Sequence, residues 1–204
     1  MEKICAIILG GTKDCFDYID EADFVIACDK GYAYAQEAGI TPDLLVGDFD
    51  SYEGVIPEHI KVLQLPVEKD DTDTLAALRY VINEGFTQIY MYCAFGGRFD
   101  HLWGNIQAAS FAASEGAIVT LHSTAQTVYI FKNHTVVLPP KANRALSVLA
   151  LSDHCEGVTI EGTKYEVEQA SLTNIFPLGV SNEWQGTATI SVEQGLLMVV
   201  ESVK

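Results

Sequence analysis

AIVTLHSTAQTVYIF, residues 117–131, holds two apolar runs parted by Ser-Thr-Ala-Gln, and the chain reads differently on its two sides. Upstream, ICAIIL (4–9), FVIAC (24–28), LLVGDF (44–49), KVLQL (61–65), IYMYC (89–93) and AIVTLH (117–122) predict strands. Helical spacing over residues 31–38, 72–84 and 100–115 predicts helices between several of them. Strands without polar alternation, joined by helices, read as a parallel sheet covered on both faces. Downstream, TVYIF, HTVVL, ALSVLAL, GVTIEG, KYEVE, TATISVE and LLMVVE follow closely, many alternating, with turn residues between them. That half shows no helical pattern and predicts an antiparallel sandwich or half-barrel. The expectation is a Rossmann-like α/β domain with a mostly parallel sheet over 1–123, followed by an all-β sandwich over 124–204.

With 28 acidic residues against 12 basic ones the formal net charge is −16. Nucleic-acid backbones and anionic membranes need clustered Lys and Arg, so neither is the expected partner. Five cysteines form no CxxC pair, and Cys5, Cys28 and Cys93 fall inside apolar runs, which reads as core packing in a reducing compartment. The apolar run in MEKICAIILG is too short to span a bilayer and no small-residue cleavage site follows it. A soluble cytoplasmic protein is expected.

In open α/β sheets ligands bind beyond the carboxyl ends of the strands. LGGT, CDKG, GDFDS, EKDDTD and FGGRFDH follow the first five predicted strands, so five polar turns border one cleft. Gly10-Gly11-Thr12 can cradle a phosphate through backbone amides or serve only as a turn. No GxxxxGK[ST] is present, which excludes a P-loop kinase as the simple explanation.

Asp48 and Asp50 are two residues apart and point to one side of an extended chain. Carboxylates ~6 Å apart at an effective dielectric of ~20 repel by roughly 3 kcal/mol. A divalent cation removes that cost, and Mg²⁺ is typically held by a few carboxylates plus substrate phosphates. Asp70, Asp71 and Asp73 crowd the next turn, ahead of Leu75, Leu78, Val81 and Ile82 at helical spacing. One of these acids suffices to cap the helix, so the others are candidate metal ligands.

GGRFDHLWGNI supplies the missing positive charge. Arg98 can grip phosphate oxygens bidentately, Asp100 is a candidate base or substrate anchor, and His101 can donate to a phosphate or move a proton. The plainer reading makes Asp100 a helix N-cap, with Arg98 solvated.

VGDFDS, EKDDTDT and GGRFDH, in this order and at these intervals, resemble thiamine pyrophosphokinases, as do EGTKYEV (161–167) and PLGVSNEW (177–184). The resemblance implies transfer of a pyrophosphoryl group from ATP to the hydroxyethyl group of thiamine, giving thiamine diphosphate and AMP. It further implies a homodimer with thiamine between the α/β domain of one chain and the sandwich of the other. By motif, Asp48, Asp50 and Asp73 would hold Mg²⁺, with Asp71 beside them. Gly10, Gly11, Thr12, Asp29, Arg98 and His101 would border ATP, and Asp100, Ser181, Asn182 and Trp184 would meet thiamine. An aromatic face such as Trp184 suits a cationic thiazolium; equally, Trp184 fits a sandwich core. Lys30 carries no assigned role. Three other readings stand beside this one: a pyrophosphokinase for another primary alcohol such as a hydroxymethylpterin, a binding module for nucleotide or thiamine without catalysis, and a magnesium-dependent nucleotide hydrolase.

Overall fold

The computed structural model describes residues 3–49, 56–66 and 71–204. The chain folds as two compact units, residues 1–124 and 125–204. Among the described residues the first unit contains β1 (Ile4–Ile8), β2 (Phe24–Cys28), α1 (Gly31–Glu37), β3 (Leu44–Gly47), β4 (Lys61–Gln64), α2 (Asp73–Asn83), β5 (Gln88–Tyr92), α3 (Phe99–Ser114) and β6 (Ile118–His122). Its strands lie in the order β4-β3-β2-β1-β5-β6, and each neighbouring pair is parallel. The chain steps outward from β1 to β4, then returns to the other side of β1 for β5. Where strand order reverses in this way, a crevice opens beyond the carboxyl ends of the two strands concerned.

Cys5, Ala6, Ile7 and Ile8 are fully buried, as are Leu44, Leu45 and Val46. Successive side chains of a strand point to opposite faces, so both faces of these strands are covered, as their unbroken apolar sequence predicts. On the edge strand β4, Lys61, Val62 and Gln64 stay exposed, and an edge lysine discourages pairing with another chain.

The helix predicted at 72 starts there, but its cap is Thr72 and not an aspartate: the Thr72 hydroxyl accepts a hydrogen bond from the Leu75 amide at 3.2 Å. Thr74, Ala77, Leu78 and Val81 form the buried face of α2, and burial of a side chain such as Leu78 contributes ~2 kcal/mol. Helix α3 begins at Phe99 with Arg98 as its cap residue, so Asp100 lies in the first turn and does not cap it. Ala108, Ala109, Ala112 and Ala113 form the buried face of α3. No helix among the described residues is long and apolar enough to cross a membrane. All five cysteines are free, and Cys5, Cys28 and Cys93 are buried.

The second unit contains β7 (Gln126–Lys132), β8 (Thr135–Leu138), β9 (Arg144–Ala150), β10 (His154–Thr163), β11 (Val167–Thr173), β12 (Trp184–Ser191) and β13 (Leu196–Val203), with no helix among its described residues. These pair antiparallel in the orders β7-β13-β9 and β11-β10-β12-β8. Alternation is plain in β8, where Val136 and Leu138 are buried while Val137 faces out. Glu201 breaks the pattern: it lies fully buried in β13, and Lys141 Nζ reaches its Oε2 at 2.5 Å.

Candidate active site

A cavity of about 860 Å³ opens at the reversal of strand order. Its wall takes Gly10, Gly11 and Thr12 from the turn after β1, Asp29 and Lys30 from the end of β2, and Asp73 from the first turn of α2. Gly96, Gly97 and Arg98 come from the loop after β5, and Asp100 and His101 from α3. Residues from four chain segments distant in sequence thus meet at one crevice.

The turn after β1 is stitched to the loop after β5. The Gly11 amide donates to Cys93 O at 2.9 Å and the Thr12 amide to Phe95 O at 2.8 Å. A Cβ on Gly11 would lie 2.3 Å from Cys93 O, so only glycine allows this approach. The amides of Gly11 and Thr12, which the sequence offers either to a phosphate or to a turn, are thus already donating within the fold.

Asp29 ends β2 with a φ of 43°. Its Oδ1 is buried and has no hydrogen-bond partner among the described residues. The neighbouring strand makes room for it only because residue 47 is glycine: at φ 153°, a Cβ there would stand 1.8 Å from Asp29 Oδ1. Burial, a hydrogen bond to the Asp73 carboxyl, and the charges of Asp73 and Asp48 together push the Asp29 carboxyl up to about 7. Three carboxylates, just past β2, just past β3 and at the start of α2, therefore share one neighbourhood, although Asp48 is not itself among the residues that line the cavity. Hard oxygen donors crowded at this cost, one of them with an orphaned buried oxygen, fit a divalent cation. Among the described residues no three acidic, His or Cys side chains already stand in a coordinating arrangement; Asp50 and Asp70 lie outside the described residues.

Arg98 and Asp100 hold each other, Nε to Oδ1 at 3.1 Å and Nη2 to Oδ2 at 2.5 Å. This bonding keeps the Asp100 carboxyl below its ordinary range. Asp100 Oδ1 also accepts from the His101 amide at 3.0 Å. Asn105, one turn further along α3, fixes the surrounding elements: its Nδ2 donates to Ala94 O at 2.9 Å, and the Thr74 hydroxyl donates to its Oδ1 at 3.0 Å. Sequence reasoning passed over this latch, because an Asn inside a helical pattern carries no distinguishing signal. Asp71 pairs with Arg79 Nε at 3.0 Å.

In the second unit the three predicted residues do different things. Asn182 is buried, and its side-chain amide is engaged within the second unit. Its Nδ2 donates to Thr163 Oγ1 at 3.0 Å and Tyr165 O at 2.8 Å. Its Oδ1 accepts from the Tyr165 amide at 3.0 Å and the Glu183 amide at 2.9 Å. All four capacities of the amide are used, three of them on Thr163 and Tyr165 at the turn between β10 and β11. Ser181 is exposed, with φ 62°, and its amide donates to Ser147 Oγ at 3.0 Å. Trp184 begins β12 opposite Thr163, with its indole N–H buried and unpartnered among the described residues.

Comparison with known proteins covers both units. The family model for the thiamin pyrophosphokinase catalytic domain matches residues 15–121, and that for the thiamin pyrophosphokinase vitamin B1 binding domain matches residues 133–197. A curated thiamine pyrophosphokinase from Bacillus subtilis is 29% identical over 221 residues, covering 98% of this chain and 99% of its own. A crystal structure of thiamine pyrophosphokinase from Bacillus subtilis superposes with a TM-score of 0.85 at 28% identity, over 99% of this chain and 100% of that one. The enzyme from Geobacillus thermodenitrificans gives a TM-score of 0.81 at 25% identity over 98% of both chains.

Proposed function

The chain belongs to the thiamin pyrophosphokinase family, and from that membership we infer that it is a thiamine diphosphokinase acting on ATP and thiamine. The hydroxyl oxygen of thiamine bonds to the β-phosphorus of ATP, the bond from that phosphorus to the bridging oxygen breaks, and AMP leaves with that oxygen. The hydroxyl proton passes to solvent. Such a transfer requires in-line placement of the reactants and neutralisation of charge on the phosphate oxygens more than covalent help.

The observation that carries this reading is the convergence of Asp29, Asp48 and Asp73 beside a cavity that also holds Arg98. Asp48, Asp50 and Asp73, with Asp29, would hold Mg²⁺, which supplies positive charge to the phosphate oxygens when bound. Arg98 exchanges Asp100 for phosphate oxygens, and Asp100, once released, offers its charge to the cationic acceptor. Gly10, Gly11 and Thr12 shape the wall against which the nucleotide lies, and His101 is placed to donate to a phosphate. Asp71 acts at one remove, by fixing Arg79 on α2.

We assign catalysis to the Rossmann-like first unit and thiamine recognition to the sandwich-like second, with Ser181 and Trp184 facing thiamine and Asn182 holding the turn beside them. A homodimer in which each thiamine lies between units of two chains is supported by the exposed apolar loop of Ile175, Phe176, Leu178 and Val180, since such patches mark contact surfaces. Five free thiols, four of them buried, suit a reducing cytoplasm.

An assay with ATP, thiamine and magnesium that separates AMP from ADP tests the activity. Equal amounts of AMP and thiamine diphosphate are expected. ADP with thiamine monophosphate would reject pyrophosphoryl transfer, and ATP turnover without thiamine would indicate a hydrolase.

A further inference from the structure

Three basic side chains, Lys13, Lys30 and Arg98, line the cavity. Two are committed to carboxylates: Lys13 Nζ lies 2.5 Å from Glu37 Oε2, and Arg98 grips Asp100 through two N–H groups. Lys30 has no carboxylate partner among the described residues. Its ammonium stands 5.3 Å from the centroid of the Tyr34 ring.

The surroundings hold this cation at the mouth of the β1 turn. A Cβ on Gly10 would lie 3.2 Å from Lys30 Cβ. Tyr34 is buried and donates its hydroxyl to Gly11 O at 2.9 Å, so the ring that carries the ammonium is tied to the same turn. The Gly11 and Thr12 amides are bonded to the β5 loop, and Lys30 sets a cation beside this turn.

We propose that Lys30 grips the phosphate chain of the nucleotide, leaving the face of Tyr34 to do so. This rests on the nucleotide reading above. An ammonium over an aromatic face is held less strongly than one in a charge-assisted bond to phosphate, so the move is downhill once phosphate arrives. Unlike Lys13 or Arg98, Lys30 has no carboxylate to abandon. A compact charge on a flexible stem also follows a phosphate without a fixed angle of approach.

Lys30→Met keeps an apolar stem over Tyr34 and removes the charge, Lys30→Arg restores the charge, and Lys30→Gln serves where Met disturbs folding. Each variant is titrated calorimetrically with magnesium ATP and with AMP, without thiamine, and KM is measured for both substrates. Loss of the charge should weaken ATP binding and raise the ATP KM by about tenfold or more, with AMP affinity and thiamine KM changing less than about twofold and Lys30→Arg close to wild type. A variant with an unchanged melting temperature that binds ATP as tightly as wild type would overturn the proposal, as would equal losses for ATP and AMP. Wild-type protein that binds ATP but makes no thiamine diphosphate would strike the activity reading alone, and the ATP titration would still decide the role of Lys30.

Discussion

Gly47 and Asp29 interlock: the Oδ1 of Asp29 occupies the place where any other residue at 47 would put its Cβ, 1.8 Å away. Gly47→Ala therefore has to displace Asp29 or bend β3, at a backbone conformation that disfavours a side chain. A displacement on the scale of 1 Å near reacting groups costs about a hundredfold in rate. That loss in kcat/KM is expected, with folding retained by circular dichroism.

Asp50→Asn and Asp73→Asn should each lose on the order of a hundredfold or more in kcat, the scale of deleting one electrostatic contact to a transition state. Both should melt near wild type in EDTA, while the shift of the melting temperature by magnesium disappears. Turnover at the wild-type rate in either variant would remove the residue from the metal site.

In the metal-free chain Asp29 keeps its proton up to a pH of about 7, whereas the ordinary carboxyl value is 3.8. Between those values the folded chain binds more protons than the unfolded one, so stability falls as pH rises through this window and levels off above it. Melting curves in EDTA from about pH 4 to about pH 8 should show the decline, and Asp29→Asn should lack that component. Magnesium, which favours the ionised form, should restore stability most at the alkaline end.

Asn182→Ala removes three hydrogen bonds to Thr163 and Tyr165 at the turn between β10 and β11 and a fourth to Glu183, and leaves the Tyr165 and Glu183 amides without their acceptor. A loss of about 2–4 kcal/mol is expected from denaturant unfolding. On the proposed site, the thiamine KM rises while the ATP KM holds. Asn182→Asp keeps the acceptor of both amides but sets a buried carboxylate oxygen against Tyr165 O, so it should not recover the loss.

β1 and β3 were legible because both of their faces are buried, which leaves an unbroken apolar signature; α2 was legible from apolar residues at helical spacing, although its cap proved to be Thr72 and not an aspartate. The side-chain partners were less so. Asp71 reads as one more acid in an acidic run, and its pairing with Arg79 exists only once α2 has brought the guanidinium round. Asn182, within a polar Ser-Asn-Glu, reads as surface until its backbone bridges to Leu146 and buries it. The commitment of the Gly11 and Thr12 amides depends on β5 lying beside β1, which strand order decides and local sequence does not. Lys30 and Tyr34 are four residues apart at the start of a predicted helix, a spacing that brings side chains together, so that contact had a readable signal.

Lys141 and Glu201 are joined in the second unit with the carboxylate wholly inside. Removing Lys141 strands the buried carboxylate at a cost of about 3–5 kcal/mol, whereas removing Glu201 leaves a lysine that already reaches solvent, and replacing both by apolar residues of like volume is often neutral or better. The order of exchange therefore matters: the glutamate can be replaced first, and the lysine only after it.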